Sequence, residues 1–341
     1  MNLTDRRYKD FALVQEMMEV PAILQSFDFG RCCEAAEAAK QAGRLFLTGE
    51  GSSRIFPAKN MIFEQMRRGF PLQIVTEAAR QAHEYDLSQF AVFGASNSGK
   101  TKEVISLLTQ LAENGHSRRF GLTANENTPL AAVSSRCYTL TCGKETAVAA
   151  TKSVVEQALF YRSILCQFEG PESPVVKNQA EAAKKAQEVL EAELDPAMIR
   201  DIAAAPMLYF AGRNNGVAEE LTLKTNEITK KKSDYLEGTY AVHGIEEVMD
   251  PDEVVIAIDP FPAEMAKFKE VLADGVGMKV IAVARQETLF PTIRVPASEG
   301  YETVLQLLAG WNILVSVGVA LGINLDKAQR ARKIGNELLG R

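Results

Sequence analysis

Residues 90–104 read FAVFGASNSGKTKEV. The apolar run Phe90 to Phe93 enters a polar turn, Gly94 to Gly99, and the pattern from Lys100 onward predicts the start of a helix. A strand, a tight loop and a helix N-terminus bring free backbone N–H groups and the positive end of a helix dipole to one spot. Ser96, Asn97, Ser98 and Thr101 add polar side chains there, three of them hydroxyls, so the loop predicts an anion site suited to phosphate. Serines that only cap the helix would leave the same spelling. Gly94 to Thr101 also satisfies the nucleotide-binding pattern G-x-x-x-x-G-K-[ST]. That motif is expected to follow the first strand of its domain, whereas here the strand Arg44 to Thr48 and its own loop, Gly49-Glu50-Gly51-Ser52-Ser53, come earlier. Val254 to Asp259 could be offered as the strand that carries a metal-binding Asp, but it falls in a different predicted domain.

Outward from this loop, strands alternate with helical segments. Short apolar runs at Arg44 to Thr48, Leu72 to Val75, Phe90 to Phe93, Phe120 to Thr123 and Cys137 to Leu140 are separated by helical patterns, which predicts a parallel sheet covered on both faces. The same order recurs downstream, with strands at Met207 to Phe210, Val254 to Ile258, Val280 to Val283 and Ile293 to Val295. The spacing from Leu45 to Val92 equals that from Leu208 to Val255, so two copies of one unit are expected. The predicted fold is α/β, with two similar doubly wound units whose parallel sheets are flanked by helices. The predicted organisation is an N-terminal helical arm (1–28), a first domain (29–170), a helical linker (171–195) and a second domain with a C-terminal tail (196–341). Where the first copy has its hydroxyl loop, the second has Asp259-Pro260-Phe261-Pro262, which removes backbone donors and repels phosphate. Anion binding is therefore assigned to the first copy.

Composition narrows the partners. The 341 residues are 46% hydrophobic and 24% charged, enough for one large or two medium domains, and the net charge of −6 argues against nucleic acid or an anionic membrane surface. No apolar run reads as long enough to span a membrane, and the first residues lack a signal-peptide core, so a cytoplasmic chain is expected. The five cysteines form no C-x-x-C pair and the three histidines lie far apart, so neither a metal nor another cofactor is expected. Two further features stand out: Lys224, Glu227 and Lys231 recur at helical spacing in EELTLKTNEITKKK, and His243 and Lys333 are isolated basic residues. Solvated charged faces would explain these equally.

Four motifs in order resemble the sugar isomerase (SIS) domain family over the whole chain. Ser96 to Glu103 is similar to the family's S-x-S-G-x-T-x-E phosphosugar loop, and Gly51 to Ser53 to its first sugar-phosphate loop. Glu145 to Lys152 resembles the family's E-x-x-V-A-x-T-K loop, and Glu16 to Leu24 the arm that precedes paired SIS domains. Among members, the chain resembles glucosamine-6-phosphate deaminases and the isomerase half of glucosamine-6-phosphate synthase, with no glutaminase domain expected. The resemblance implies a phosphosugar isomerase or amino-sugar-phosphate deaminase. Glu227, in a match to L-K-x-x-E-I-[ST], is implied as the base between C1 and C2, and His243, in His243-Gly244, as the ring-opening acid/base. Lys333, counted from Asp326, is implied as an amine that contacts the sugar. Ser52, Ser53, Ser96, Asn97, Ser98, Thr101, Val148, Ala149 and Lys224 are implied to bind substrate, and the partner classes are a small sugar phosphate and a second subunit in a homodimer. The chain departs from the family around the histidine, where Gly238 to Ile245 lacks the usual Glu and Pro. Lys230-Lys231-Lys232 is a further departure that would suit an acidic substituent, as in a fructosamine-6-phosphate deglycase. A sugar-phosphate sensor without catalysis is the reading from another class.

Overall fold

The computed structural model describes residues 1–170, 172–332 and 335–338. Two five-stranded sheets, each wholly parallel, form the framework, and each lies in its own compact unit.

The first unit spans Ser26–Glu145 and Ala150–Lys177 together with the described tail from Ala328 onward. Its strands are β1 (Arg44–Gly49), β2 (Gln73–Ala78), β3 (Ala91–Ala95), β4 (Arg119–Thr123) and β5 (Arg136–Thr139), in the spatial order β2-β1-β3-β4-β5. β3 is buried along its whole length, which is why it reads as an uninterrupted apolar run. The chain leaves β1 toward β2 on one side and returns to β3 on the other. The C-terminal ends of β1 and β3 therefore flank the point where the strand order reverses, the place where doubly wound sheets open a crevice. The helix Lys152–Glu169 packs on the helix Ile55–Arg68 beside this sheet.

The second unit comprises Met1–Gln25, Thr146–Ala149 and Asn178–Lys327. Its strands are β6 (Met207–Gly212), β7 (Lys232–Glu237), β8 (Val254–Ile258), β9 (Lys279–Ala284) and β10 (Thr292–Arg294), in the order β10-β9-β8-β6-β7. Read from the other edge, this is the order of the first sheet. Leu45 sits opposite Ala91, and Leu208 opposite Val254, at the same separation along the chain, so even the register repeats. β7 has no counterpart among the predicted strands. It is an edge strand of KSDYLE with mostly exposed positions, so its sequence carries no apolar run.

The arm is two short helices, Ala12–Met18 and Val20–Ser26, with Pro21 near the start of the second, where a missing N–H does no harm. The segment after Asn178 is more than a connector: the helix Gln179–Glu191 buries Ala182, Ala186, Val189 and Leu190 and packs on the helix Glu302–Ala320. That last helix corrects the reading of apolar runs, because by length and composition it could cross a membrane. It is instead mostly buried in the core, where a helix apolar on all sides belongs.

Candidate functional site

The loop after β3 is the most elaborated turn of the first unit. Ser96 is buried, and its Oγ lies 2.7 Å from Thr101 Oγ1 and 3.4 Å from Ser98 Oγ. The loop closes on itself: Gly99 N–H donates to Ser96 O, Lys100 N–H to Ser98 Oγ, and Thr101 N–H to Ser96 Oγ. Three hydroxyls are thus gathered within one small radius at the N-terminus of the helix Lys102–Glu113. Ser96 and Ser98 can each turn a proton outward to an anion while the oxygen still accepts from the backbone, with the Thr101 hydroxyl donating to Ser96. Gly99 makes the turn possible, with φ of +67° and the Thr128 side chain where a Cβ would stand. Gly94, the first glycine of the nucleotide-binding spelling, lies inside β3, and its missing side chain admits Val104 and Leu108. Helix-to-strand packing accounts for that spelling.

Across the reversal point, β1 ends in the short 3₁₀ turn Gly51–Ser53, which carries Ser52 and Ser53. A Cβ on Gly49 would fall within 3.0 Å of the Ala95 and Ser53 carbonyls, so the two strand ends approach as closely as backbones allow. Gln157 donates its side-chain amide to Ser53 O. Glu50, beside these serines, accepts from Ala79 N–H; desolvation, then the nearby Glu103 charge, raises its pKa.

The described end of the tail adds itself to this loop. Thr101 and Glu337 form an antiparallel bridge: Lys102 N–H donates to Asn336 O, and Leu338 N–H to Lys100 O. Lys100 and Glu337 pair at 3.0 Å, and Asn336 donates its side-chain amide to Glu103. Lys333 lies outside the described residues.

Asn97 turns inward, donating to Glu145 Oε2 and to Ser153 Oγ, each at 2.7 Å. In the sequence Glu145 is only the first letter of a motif. Glu16 and Asp326 likewise have no predicted role, yet both work on the loop that carries Val148 and Ala149. In the second unit Glu16 Oε1 accepts from the Thr146 and Ala147 amides, and Val148 N–H donates to Asp326 O. Asp326 also takes the Ala12 and Leu13 amides, capping the first helix of the arm. For Glu145 the available signal was a carboxylate beside small residues and a helix start.

Glu227 lies near the end of the helix Val217–Ile228. Its Oε2 accepts from Lys224 Nζ at 2.6 Å, and that ammonium also stands 3.4 Å from Glu220. Lys224 and Glu220 are fully buried, whereas Glu227 keeps part of its side chain exposed. A buried ammonium between two carboxylates leaves one net negative charge, presented by the member nearest solvent. Lys231 does not continue this face. The helix ends at Ile228 and Lys230 takes a left-handed φ of +60°, so the chain turns away. Lys230 donates to Glu227 O and Lys231 to Ala205 O, and burial lowers the pKa of both amines. His243 follows the 3₁₀ turn Tyr240–Val242 with its ring exposed.

At the corresponding strand ends of the second sheet the arginine is already paired. Arg213, just after β6, pairs with Asp259 at 2.6 Å and lies over the Phe261 ring with 4.2 Å to the centroid. The charge that could have drawn an anion is already matched.

Residues 39–166, which hold the reversal-point crevice and the hydroxyl loop, match the SIS domain family. The two units repeat one α/β architecture, and solved structures share this fold. The C-terminal domain of glucosamine-fructose-6-phosphate aminotransferase from Francisella tularensis superposes with a TM-score of 0.75 at 17% identity, covering 95% of this chain and 100% of that one. Tagatose-6-phosphate ketose/aldose isomerase from Escherichia coli gives a TM-score of 0.75 at 19% identity over 95% and 97% of the two chains. Glucosamine-6-phosphate deaminase from Thermotoga maritima gives 0.71 at 19% identity over 94% and 98%. At such identities the likeness establishes the fold. A comparison of the sequence with curated proteins found no match.

Proposed function

We propose that this protein interconverts or deaminates an amino-sugar phosphate, taking glucosamine 6-phosphate to fructose 6-phosphate and ammonia. The observation that carries this is the cluster of Ser96, Ser98 and Thr101 hydroxyls at the reversal point of the first sheet. It is suited to a phosphate group, whose binding energy would hold the reacting carbons in place. Glu227 takes the C2 proton of the open-chain sugar and returns it to C1, passing through an enolamine. The resulting C2 imine is hydrolysed by water, and ammonia leaves. Positioned proton transfer of this kind contributes about 10²–10⁴-fold, and Lys224 holds the carboxylate that performs it. His243 is assigned ring opening and Lys333 contact with the sugar, both from the family resemblance. Ser52, Ser53, Val148 and Ala149 are assigned to the sugar and phosphate oxygens. The protein is taken to act in the cytoplasm, in keeping with its free cysteines, and as a homodimer, from the family resemblance.

The test is proton NMR in deuterated buffer with glucosamine 6-phosphate, fructose 6-phosphate plus ammonium, and fructosamine 6-phosphates, each with wild type and Glu227→Gln. Ammonia release, or deuterium at C2, that disappears in the variant supports the proposal. Release of an amino acid would move the activity to deglycation. Tight binding of phosphate esters with no turnover of any of them would leave a sensor.

A further inference from the structure

Glu145 is buried, and its carboxylate gathers donors from two places in the first unit. Oε1 accepts from Thr151 N at 2.7 Å, Thr151 Oγ1 at 3.3 Å and Ser153 N at 3.4 Å, at the start of the helix Lys152–Glu169. A negative charge is favoured at that helix end. Oε2 accepts from Ser153 Oγ and from the Asn97 side-chain amide, which itself also donates to Ser153 Oγ. The Asn97 main chain is fixed separately, since its carbonyl accepts from Ala124 N, Thr123 Oγ1 and Asn125 Nδ2. Asn97 stands between Ser96 and Ser98, so its main-chain and side-chain bonds together fix the backbone that carries both hydroxyls.

We infer that Glu145 is a positioning residue for anion binding, holding the Ser96–Thr101 loop in its receiving geometry through Asn97. This rests on the phosphosugar reading above and adds a residue to it. On the Oε1 side the chemistry is one-sided, because Thr151 N and Ser153 N can only donate. In Glu145→Gln the new side chain can keep its oxygen toward Thr151, but its NH₂ then faces the NH₂ of Asn97, and the contact returns only if the Asn97 amide turns over and gives up its donation to Ser153 Oγ. Exchanging the two groups, by adding Asn97→Asp, restores the pair in reverse: the amide now donates and the carboxylate on the loop accepts.

The experiment is calorimetric titration of inorganic phosphate, glucose 6-phosphate and fructose 6-phosphate into wild type, Glu145→Gln, Asn97→Asp and the double variant, with thermal melts of each. Glu145→Gln is expected to weaken 6-phosphate binding about 10-fold to 100-fold, the scale of hydrogen bonds to a charged group. Asn97→Asp alone, with two carboxylates face to face, should be at least as impaired. The double variant should return to within about 3-fold of wild type, a coupling that loss of general stability would not produce. Unchanged binding in Glu145→Gln, or a double variant no better than the singles, overturns the assignment while leaving the phosphosugar reading intact. A wild type that binds none of the three ligands removes both.

Discussion

Lys224 and Glu227 meet at 2.6 Å one turn apart on a single helix, and Lys224 is fully buried while Glu227 is not. Lys224 is therefore the buried anchor of the pair and Glu227 the member that reaches solvent. Lys224→Met should destabilise the fold by about 3–5 kcal/mol, because it leaves the buried Glu220 without that cation. Adding Glu220→Leu should recover much of the loss, since an apolar pair can replace buried charges. Urea unfolding of the two variants reads both effects.

Gly99→Ala is expected to lose about 1–3 kcal/mol from its left-handed backbone alone, and more from collision with Thr128. Gly43→Ala, at φ +62° with nothing within 4 Å of its Cβ, isolates the backbone part. Comparing denaturation midpoints of the two variants separates strain from collision.

Glu50 supplies a pH dependence with a definite sign. Its folded pKa is raised, by desolvation first and Glu103 next, above the ordinary 4.5. The folded state therefore holds this proton more tightly than the unfolded chain does, and ionising Glu50 lowers stability. That penalty is absent below the unfolded pKa and grows as pH rises through the folded one. Glu50→Gln keeps an acceptor for Ala79 N–H and should melt higher than wild type near pH 7, with the gain gone near pH 4. The side chain is largely exposed, so solvent screening should keep the difference small, about 1–2 °C.

Asp326→Ala removes the acceptor of both the Ala12 and Leu13 amides and should destabilise the protein by about 1 kcal/mol. Asp326→Asn, which keeps an oxygen at the cap, should lose less. Thermal melts of the pair rank them.

What could be read in the sequence followed burial. β3 and β8 are apolar from end to end because both faces are covered, and they were visible as runs. β7 lies at a sheet edge, where half-exposed Lys, Ser and Asp are stable, so its strand character comes from pairing with β6. The end of the helix at Ile228 was likewise hidden, because Lys230 takes the left-handed conformation that the sequence leads one to expect of glycine or asparagine. The loop hydroxyls were legible from neighbouring letters. Glu145 was not, since its hold on Asn97 spans 48 positions and exists only once β3 and the loop after β5 arrive at the same end of the sheet.

The shared strand order of the two sheets ends in different loops: one gathers hydroxyls, the other pairs Arg213 with Asp259 over the Phe261 ring. Such a difference is what descent from a doubled ancestor would permit. Once two copies existed, a substitution that ruined ligand binding in one carried no penalty while the other still bound. On that account the Arg213–Asp259 pair would mark the copy whose loop is no longer needed to receive an anion.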